Sequence, residues 1–365
     1  MTEIAAAPAR AVTGPAPSPE TIRQALADST QRPRDLAESL GVGEASLLAA
    51  QVDGETVTRI EADPDQLLAA IPELGEVMGL TRNESVVSEI NGIYGGYRRS
   101  EHAGLVLNGR IDMRFFPSRW IHAFAVIAQT KAGPRHSFQV FDAAGDAVHK
   151  VYLAKGADPA PWAALRDRLR LADQGQVLEL APREAVEPAR EAPEQAEALR
   201  AAWAELGDTH KFGAMCKTFG VNRLGAYRTA GAPMARKLEP ASVGRLLHRL
   251  ADTGTPSMIF VGNAGFIQIV SGPIGPIKEM GPWLNVLDDD FNLHLRGDHI
   301  AEVWVAEKPT RRGPAVSVDF FDARGGLIAQ IFGHRTAEID HNAAWIALVE
   351  EEVARLAETR TEEPA

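Results

Sequence analysis

The sequence predicts an α+β protein made of two similar repeats, each with helices in front, a large antiparallel β-sheet behind them and a closing helix. Recurring segments are the first observation. Phe141-Asp142-Ala143-Ala144-Gly145 returns as Phe321-Asp322-Ala323-Arg324-Gly325 at an offset of 180 (322 − 142), and Val106-Leu107 returns as Val286-Leu287 at the same offset. Leu40-Gly41-Val42 meets Phe219-Gly220-Val221 at 179 (220 − 41), and Trp162-Ala163-Ala164-Leu165 meets Trp345-Ile346-Ala347-Leu348 at 183 (345 − 162). Met78–Val87 aligns with Met258–Ile267 through shared Met and Asn and apolar ends. Ordered markers at steady spacing indicate a duplicated unit of about 150–170 residues, and two copies make two lobes rather than a solenoid.

Periodicity is the second observation. Helical patterns cover Pro19–Ser29, Asp35–Leu40 and Glu44–Ala50 in the first copy, and Asp208–Thr218 and Asn222–Ala230 in the second. Strand patterns follow at Gly104–Leu107, Ile111–Phe115, Ile121–Ala128 and Ser137–Phe141. Their counterparts are Ser257–Val261, Phe266–Val270, His299–Ala306 and Ala315–Phe320. The two Asp-Ala-x-Gly pieces are hairpin turns, where glycine supplies the positive φ that a tight reversal needs. Helices followed by a strand meander argue α+β with antiparallel pairing. The expected organisation is a disordered tail over 1–19, a first repeat over 20–175, a linker over 176–198, a second repeat over 199–355 and a frayed tail over 356–365. The linker is rich in Glu, Ala and Pro and runs into a helix at Glu194–Leu206.

Bulk composition narrows the function classes. The 365 residues are 45% hydrophobic and 24% charged, as in an ordinary globular protein. No apolar run approaches the length of a membrane span, and the Ala- and Pro-rich start lacks the pattern of a signal peptide. A single cysteine, Cys216, excludes an internal disulfide and multi-cysteine metal sites, and the expected location is the cytoplasm. A net charge of −11 disfavours nucleic acid as a partner, and an anionic small ligand would need its own cationic pocket. There is no G-x-G-x-x-G after a strand, no Walker lysine loop, no H-E-x-x-H and no G-x-S-x-G, and the ten histidines show no close zinc-type pairing.

One segment carries chemistry. In Asp208-Thr209-His210-Lys211-Phe212-Gly213-Ala214, Asp208 is an N-cap that places His210 in the first helical turn. Gly213 and Ala214 follow at i+3 and i+4 on the same face. A glycine inside a helix costs about 1 kcal/mol relative to alanine, a cost consistent with a flat ligand approaching beside the imidazole. A haem with His210 on its iron fits, and so does the plainer reading of a surface histidine beside a packing glycine.

Further blocks add to this segment: Asn222-Arg223-Leu224, Phe260-Val261-Gly262-Asn263, Gly281-Pro282-Trp283-Leu284-Asn285-Val286-Leu287, Asp290-Phe291-Asn292-Leu293-His294-Leu295-Arg296, Ala301-Glu302-Val303-Trp304, Lys308-Pro309-Thr310 and Ala329-Gln330-Ile331-Phe332-Gly333. The first copy adds Leu80-Thr81-Arg82-Asn83-Glu84, Gly104-Leu105-Val106-Leu107, Ile111-Asp112-Met113-Arg114 and Val148-His149-Lys150-Val151-Tyr152. From about Arg34 to Trp345 the chain resembles the haemin-degrading factor family (HemS/HmuS/ChuS-like). The resemblance implies a haem cleft between the repeats. His210 matches the axial iron ligand and Arg114 the arginine of the opposite face, with Phe116 on the same side of its strand. Phe260 matches a second ring-packing aromatic, and Arg223, Lys308, Gln330 and Arg335 match polar residues at the haem edge. Apolar walls, one nitrogen donor and cations for two propionates are what haem needs.

His294 stands where Arg114 stands in the other copy (294 − 114 = 180) and is read as structural rather than as a relic of pocket symmetry, while His102 and His149 have no assigned role and are read as structural or surface residues. Cys216 lies off the His210 face and is read as buried and inert. The chain departs from the resemblance at Ser88, where some relatives carry a histidine, and in the absence of extra histidines after His210. One haem per chain is therefore expected. The resemblance implies a cytoplasmic haem-utilisation protein that opens the haem ring and releases iron, with haem (iron protoporphyrin IX) as substrate or cargo and Arg114 as the catalytic residue. The alternative is a non-catalytic chaperone that delivers haem to a separate haem oxygenase. An inner-membrane haem ABC transporter or a haem oxygenase is the expected partner, with the chain a monomer or a dimer.

Overall fold

The structure, a computed structural model, describes residues 16–336, 338 and 340–362, with side chains as far as Leu356. Most of the expected N-terminal tail and the last residues of the expected C-terminal tail lie outside the described residues. The helical front of the first copy is α1 (Pro19–Asp28), α2 (Pro33–Leu40) and α3 (Glu44–Ala49). Proline at the first position of α1 and α2 sets φ where no N–H is needed, and Ser18 caps α1 by accepting from the Thr21 N–H at 3.2 Å. Then come β1 (Val57–Ile60), α4 (Pro64–Ala70), β2 (Glu76–Arg82), β3 (Val86–Ile93), β4 (Arg98–Arg99), β5 (Gly104–Asn108), β6 (Ile111–Phe115), β7 (His122–Thr130), β8 (Gly133–Phe141), β9 (Ala147–Leu153) and α5 (Ala160–Leu169).

The second copy repeats the order with α6 (Ala196–Ala204), α7 (Phe212–Thr218), α8 (Arg223–Ala230), β10 (Ala235–Leu238), α9 (Ser242–Thr253), β11 (Ser257–Gly262) and β12 (Phe266–Gly272). It continues through β13 (Ile277–Met280), β14 (Trp283–Leu287), β15 (Phe291–Arg296), β16 (Glu302–Lys308), β17 (Ala315–Phe321), β18 (Leu327–Gly333) and α10 (Asn342–Glu362). Helix α10 thus runs through most of the stretch expected to fray.

Among the described residues the strands form two nine-stranded sheets. The neighbour order β1-β7-β8-β9-β2 recurs as β10-β16-β17-β18-β11, and β6-β5-β4 recurs as β15-β14-β13. The duplication extends to register. Phe124 pairs with Gln139 as Trp304 pairs with Asp319, and Leu80 pairs with Lys150 as Phe260 pairs with Gln330. Both copies have a register shift at the same place, Val140/Phe141 and Phe320/Phe321. The Asp-Ala-x-Gly turns adopt the expected conformation, with φ of 80° at Gly145 and 92° at Gly325. In each, the aspartate Oδ1 accepts two backbone N–H groups, from Ala144 and Asp146 in one turn and from Arg324 and Gly326 in the other.

Several strands differ from the sequence reading for physical reasons. β7 and β8 extend to a hairpin tip at Thr130 and Gly133, where the exposed arms show no alternation. β9 is buried on both faces for most of its length, so it has no period of two to read. The strand expected from His299 begins at Glu302, because Gly297–His299 closes as a 3-10 turn, Ile300 N–H to Gly297 C=O at 3.2 Å.

The chain divides into two compact units. The first takes the chain up to Arg82, then Glu89–Glu184 and Gly262–Gln268; the second takes Asn83–Ser88, Ala185–Val261 and the chain from Ile269. The Glu-, Ala- and Pro-rich stretch is tied down rather than loose. Gln176 donates to the Val52 carbonyl at 2.9 Å and Arg183 to Asp146, while Ala192 N–H donates to Thr229 Oγ1 at 3.1 Å.

In the first unit a polar chain sits in the core. Thr81 Oγ1 donates to Gln268 Oε1 at 3.2 Å and lies 2.9 Å from His149 Nδ1, while Tyr94 Oη lies 2.7 Å from His149 Nε2. The consistent assignment is Nδ1–H donating to Thr81 and Nε2 accepting from Tyr94. The imidazole stacks on Phe266 with centroids 3.9 Å apart and planes 6° apart. Burial pushes the His149 pKa down to about 3, so the ring stays neutral. Above pH ~6.5 the ring is neutral in both folded and unfolded chains; below it the unfolded chain takes up the proton first. Stability is therefore expected to fall by up to about 1.4 kcal/mol per pH unit as pH drops from 6.5 towards 3. Urea unfolding of wild type and His149→Gln at pH 7 and 4.5 checks this: the variant starts less stable and shows a shallower loss.

Candidate functional site

Of the eight site residues expected from sequence, Arg114 and Phe116 fall in the first unit. Asp112, Arg114 and Phe116 are half-buried and alternate with the buried Ile111, Met113 and Phe115, so they share one face, although β6 itself ends at Phe115. Phe116 continues extended and its N–H donates to the Gly265 carbonyl at 3.0 Å. Arg114 donates to the Asp112 carboxylate and, at 3.0 Å, to the Met113 carbonyl.

The other six residues belong to the second unit; two of them, Arg223 and Gln330, converge on one carboxylate, and a third, Lys308, reaches it through Tyr227. Asp319 is fully buried, and its Oδ2 accepts from Tyr227 Oη at 2.6 Å, Gln330 Nε2 at 2.7 Å and Arg223 Nη1 at 3.3 Å. Lys308 Nζ donates to Tyr227 Oη at 3.2 Å and lies 4.8 Å from the Phe212 ring centroid and 5.3 Å from that of Tyr227. Such cation–π contact partly offsets the loss of hydration. Burial pushes the Lys308 pKa down to about 8 against the opposing pull of Asp319. Burial and the neighbouring Asp319 both push the Tyr227 pKa up. Lys308 is thus a core cation, while Arg223 keeps 37% of its side chain exposed. Phe260 pairs with Gln330 across the sheet and packs on Phe332 at 5.0 Å between centroids. Arg335 stands apart from the cluster, its Nε 3.1 Å from Asp340 Oδ2. Sequence reasoning missed Asp319 and Tyr227; the one available signal was an aspartate in a strand otherwise apolar except for Ser317.

His210 lies in a 3-10 turn, Thr209–Lys211, that leads into α7, and not in the first α-helical turn expected. Asp208 is the cause: its carboxylate accepts from the His210 N–H at 2.9 Å, and its carbonyl accepts from Lys211 N–H at 3.1 Å, closing a tighter turn. Phe212, Met215 and Cys216 are buried with Trp203 and Tyr227, and burial pushes the Cys216 thiol up. The opposite face presents His210, Gly213, Ala214 and Lys217, all exposed, with the imidazole 92% exposed. A Cβ built on Gly213 would meet nothing within 4 Å. Neither a positive φ nor a crowded neighbour requires glycine there, so the protein's own packing does not explain it. His294 is satisfied structurally, its Nδ1 2.7 Å from Asn285 Oδ1.

At the positions equivalent to Arg223, Asp319 and Gln330, the first copy carries Glu44, Gln139 and Lys150 (offsets 179, 180 and 180). There Lys150 and Glu44 form a buried ion pair. The duplicated scaffold thus carries two different polar clusters.

The model of the haemin-degrading HemS/ChuX domain matches this chain twice, over residues 41–169 and 220–351. The chain belongs to that family. It is 38% identical to the hemin transport protein HmuS of Yersinia pestis, over 88% of this chain and 92% of that protein. It is 37% identical to the hemin transport protein HemS of Yersinia enterocolitica, over 92% and 96%. Among solved structures, holo-PhuS, a heme-binding protein from Pseudomonas aeruginosa, is 41% identical, with a TM-score of 0.86 over 91% of this chain and 98% of that one. The heme-degrading enzyme ChuS of Escherichia coli O157:H7 is 31% identical, with a TM-score of 0.82 over 91% and 97%.

Two stability outcomes follow from this geometry. Asp319→Ala leaves Tyr227, Gln330 and Arg223 without their buried acceptor and Lys308 without its neighbouring counter-charge, and should destabilise the chain by about 3 kcal/mol or more in denaturant unfolding. Gly213→Ala fills open space on a helix and should stabilise the haem-free chain by up to about 1 kcal/mol in the same assay.

Proposed function

We propose that this chain binds one haem through His210 and serves haem utilisation in the cytoplasm by opening the ring and releasing iron. The observation that carries the reading is the cleared face of α7: an exposed imidazole with a glycine three residues on and open space above it. Haem supplies four of the iron's ligands itself, so a single histidine suffices to anchor it. The residues fit the rest of the molecule. Phe260 offers an aromatic surface, and Arg223, held by Asp319 yet partly exposed, offers a cation for a carboxylate. Lys308 and Gln330 act one layer back, by setting the charge and position of the Asp319 cluster, and Arg335 supplies a further edge cation. The names of the relatives, hemin transport, heme binding and heme degradation, point the same way.

For the chemistry, we assign Arg114 to the iron's other face. A guanidinium stays charged at any working pH and stabilises negative charge that develops near it. The Asp112 and Met113 bonds tether it to its own strand. Phe116 supplies an aromatic wall on the same side. A haem ABC transporter on the inner membrane face is the proposed source of haem.

Three measurements test this. Titration with ferric haem should reach its endpoint at one haem per chain, because the first copy's equivalent cluster pairs Lys150 with Glu44; an endpoint at two would refute it. His210→Ala should weaken haem binding and move the Soret and visible bands; unchanged spectra would mean that another residue ligates the iron. With haem loaded and an electron donor, oxygen and catalase supplied, Arg114→Ala should suppress formation of the ring-opened pigment at least tenfold, while haem affinity changes little. Equal turnover would remove Arg114 from the mechanism.

A further inference from the structure

We propose that Asp208 is the positioning residue for the iron ligand: its carboxylate decides which nitrogen of His210 is free and strengthens that nitrogen as a donor. The proposal rests on the reading of His210 as the haem ligand. Asp208 Oδ1 accepts from the His210 backbone N–H at 2.9 Å and lies 2.8 Å from its Nδ1. An ionised carboxylate only accepts, so Nδ1 carries the proton and the lone pair resides on Nε2. The nitrogen that keeps its proton is set by the bond that the other makes, and Asp208 makes that choice here.

Exposure sharpens the argument. The ring is 92% exposed, so no protein wall fixes its rotation, and among the described residues Asp208 is its hydrogen-bonding partner. Asp208 is itself immobilised: it is extended at φ −154° and ψ 126°, and its carbonyl closes the turn through Lys211 N–H at 3.1 Å. An N-cap alone is served equally by serine, threonine or asparagine. Aspartate adds a charge, and it is placed on the ring nitrogen as well as on the backbone. A carboxylate accepting from the second ring nitrogen orients a metal-bound imidazole and raises its basicity. A more electron-rich imidazole strengthens the bond to iron and favours the ferric over the ferrous state.

The test uses Asp208→Asn, which keeps a neutral acceptor at the cap and removes the charge, with His210→Ala as reference. In the haem-free full chain at mildly alkaline pH, nitrogen NMR of the histidine rings should show His210 protonated on Nδ1 in wild type, with that preference weakened in Asp208→Asn. With haem bound, Asp208→Asn should shift the ferrous iron–histidine stretch in resonance Raman to lower frequency and raise the ferric/ferrous midpoint potential, while the melting temperature of the haem-free chain stays close to wild type. A wild-type His210 protonated on Nε2 would overturn the proposal, as would an Asp208→Asn complex with wild-type stretch and potential. Unchanged spectra in His210→Ala would instead defeat the ligand assignment itself, and the haem-free NMR result would still decide whether Asp208 sets the tautomer.

Discussion

Asp319 Oδ2 accepts from Tyr227, Gln330 and Arg223 in a position from which water is excluded. Two of the donors lie on α8 and one on β18, so a single carboxylate fastens a helix to the sheet behind it. Lys308 joins through Tyr227 and fills the space under Phe212, the first residue of α7. The exposed segment that carries His210 therefore rests on a buried charge cluster. Burying charges is costly unless every one is matched, which makes the arrangement intolerant of the loss of any partner. That intolerance is also its use: α7 and α8 have few ways to shift while the cluster is intact.

The division of labour in α7 follows from this. Its inner residues, Phe212, Met215 and Cys216, pack against Trp203 and Tyr227 and hold the helix. Its outer residues make no demands on the fold, which leaves His210, Gly213 and Ala214 available for a ligand. A seven-residue helix has little stability of its own, so its position derives from packing rather than propensity. The histidine that serves the ligand is thus held by its neighbours' side chains and by Asp208, and its own side chain is spared any structural task.

Duplication preserved the scaffold and changed the chemistry. Strand registers match residue for residue at an offset of 180, down to the same bulge, yet Glu44 and Lys150 occupy the places of Arg223 and Gln330. There an acid and a base are paired directly with each other. The second copy instead places two cations and a neutral amide around one acid, leaving positive charge in excess. The first unit has its own polar core device in His149, absent from the second, where the aligned residue is Ala329 (329 − 149 = 180).

Local and periodic information by itself determined much of this protein: the two copies, their α+β order, the Asp-Gly turns, and the Asp208–Ala214 segment with its histidine and glycine on one face. These features are legible because each depends on residues a few positions apart or on an exact repeat. Strands such as β9 were illegible because burial on both faces erases alternation. Only the tertiary structure decided the rest. It converted Lys308 from an expected edge cation into a core cation under aromatic rings, and it exposed Asp319 as the hub of residues up to 96 positions away. It stacked His149 on Phe266, and it assigned short segments of each repeat to the compact unit of the other. The physical reason is common to the first three: whether a polar group is stable depends on which partners reach it after the chain has folded, and that pairing leaves no periodic trace in the sequence.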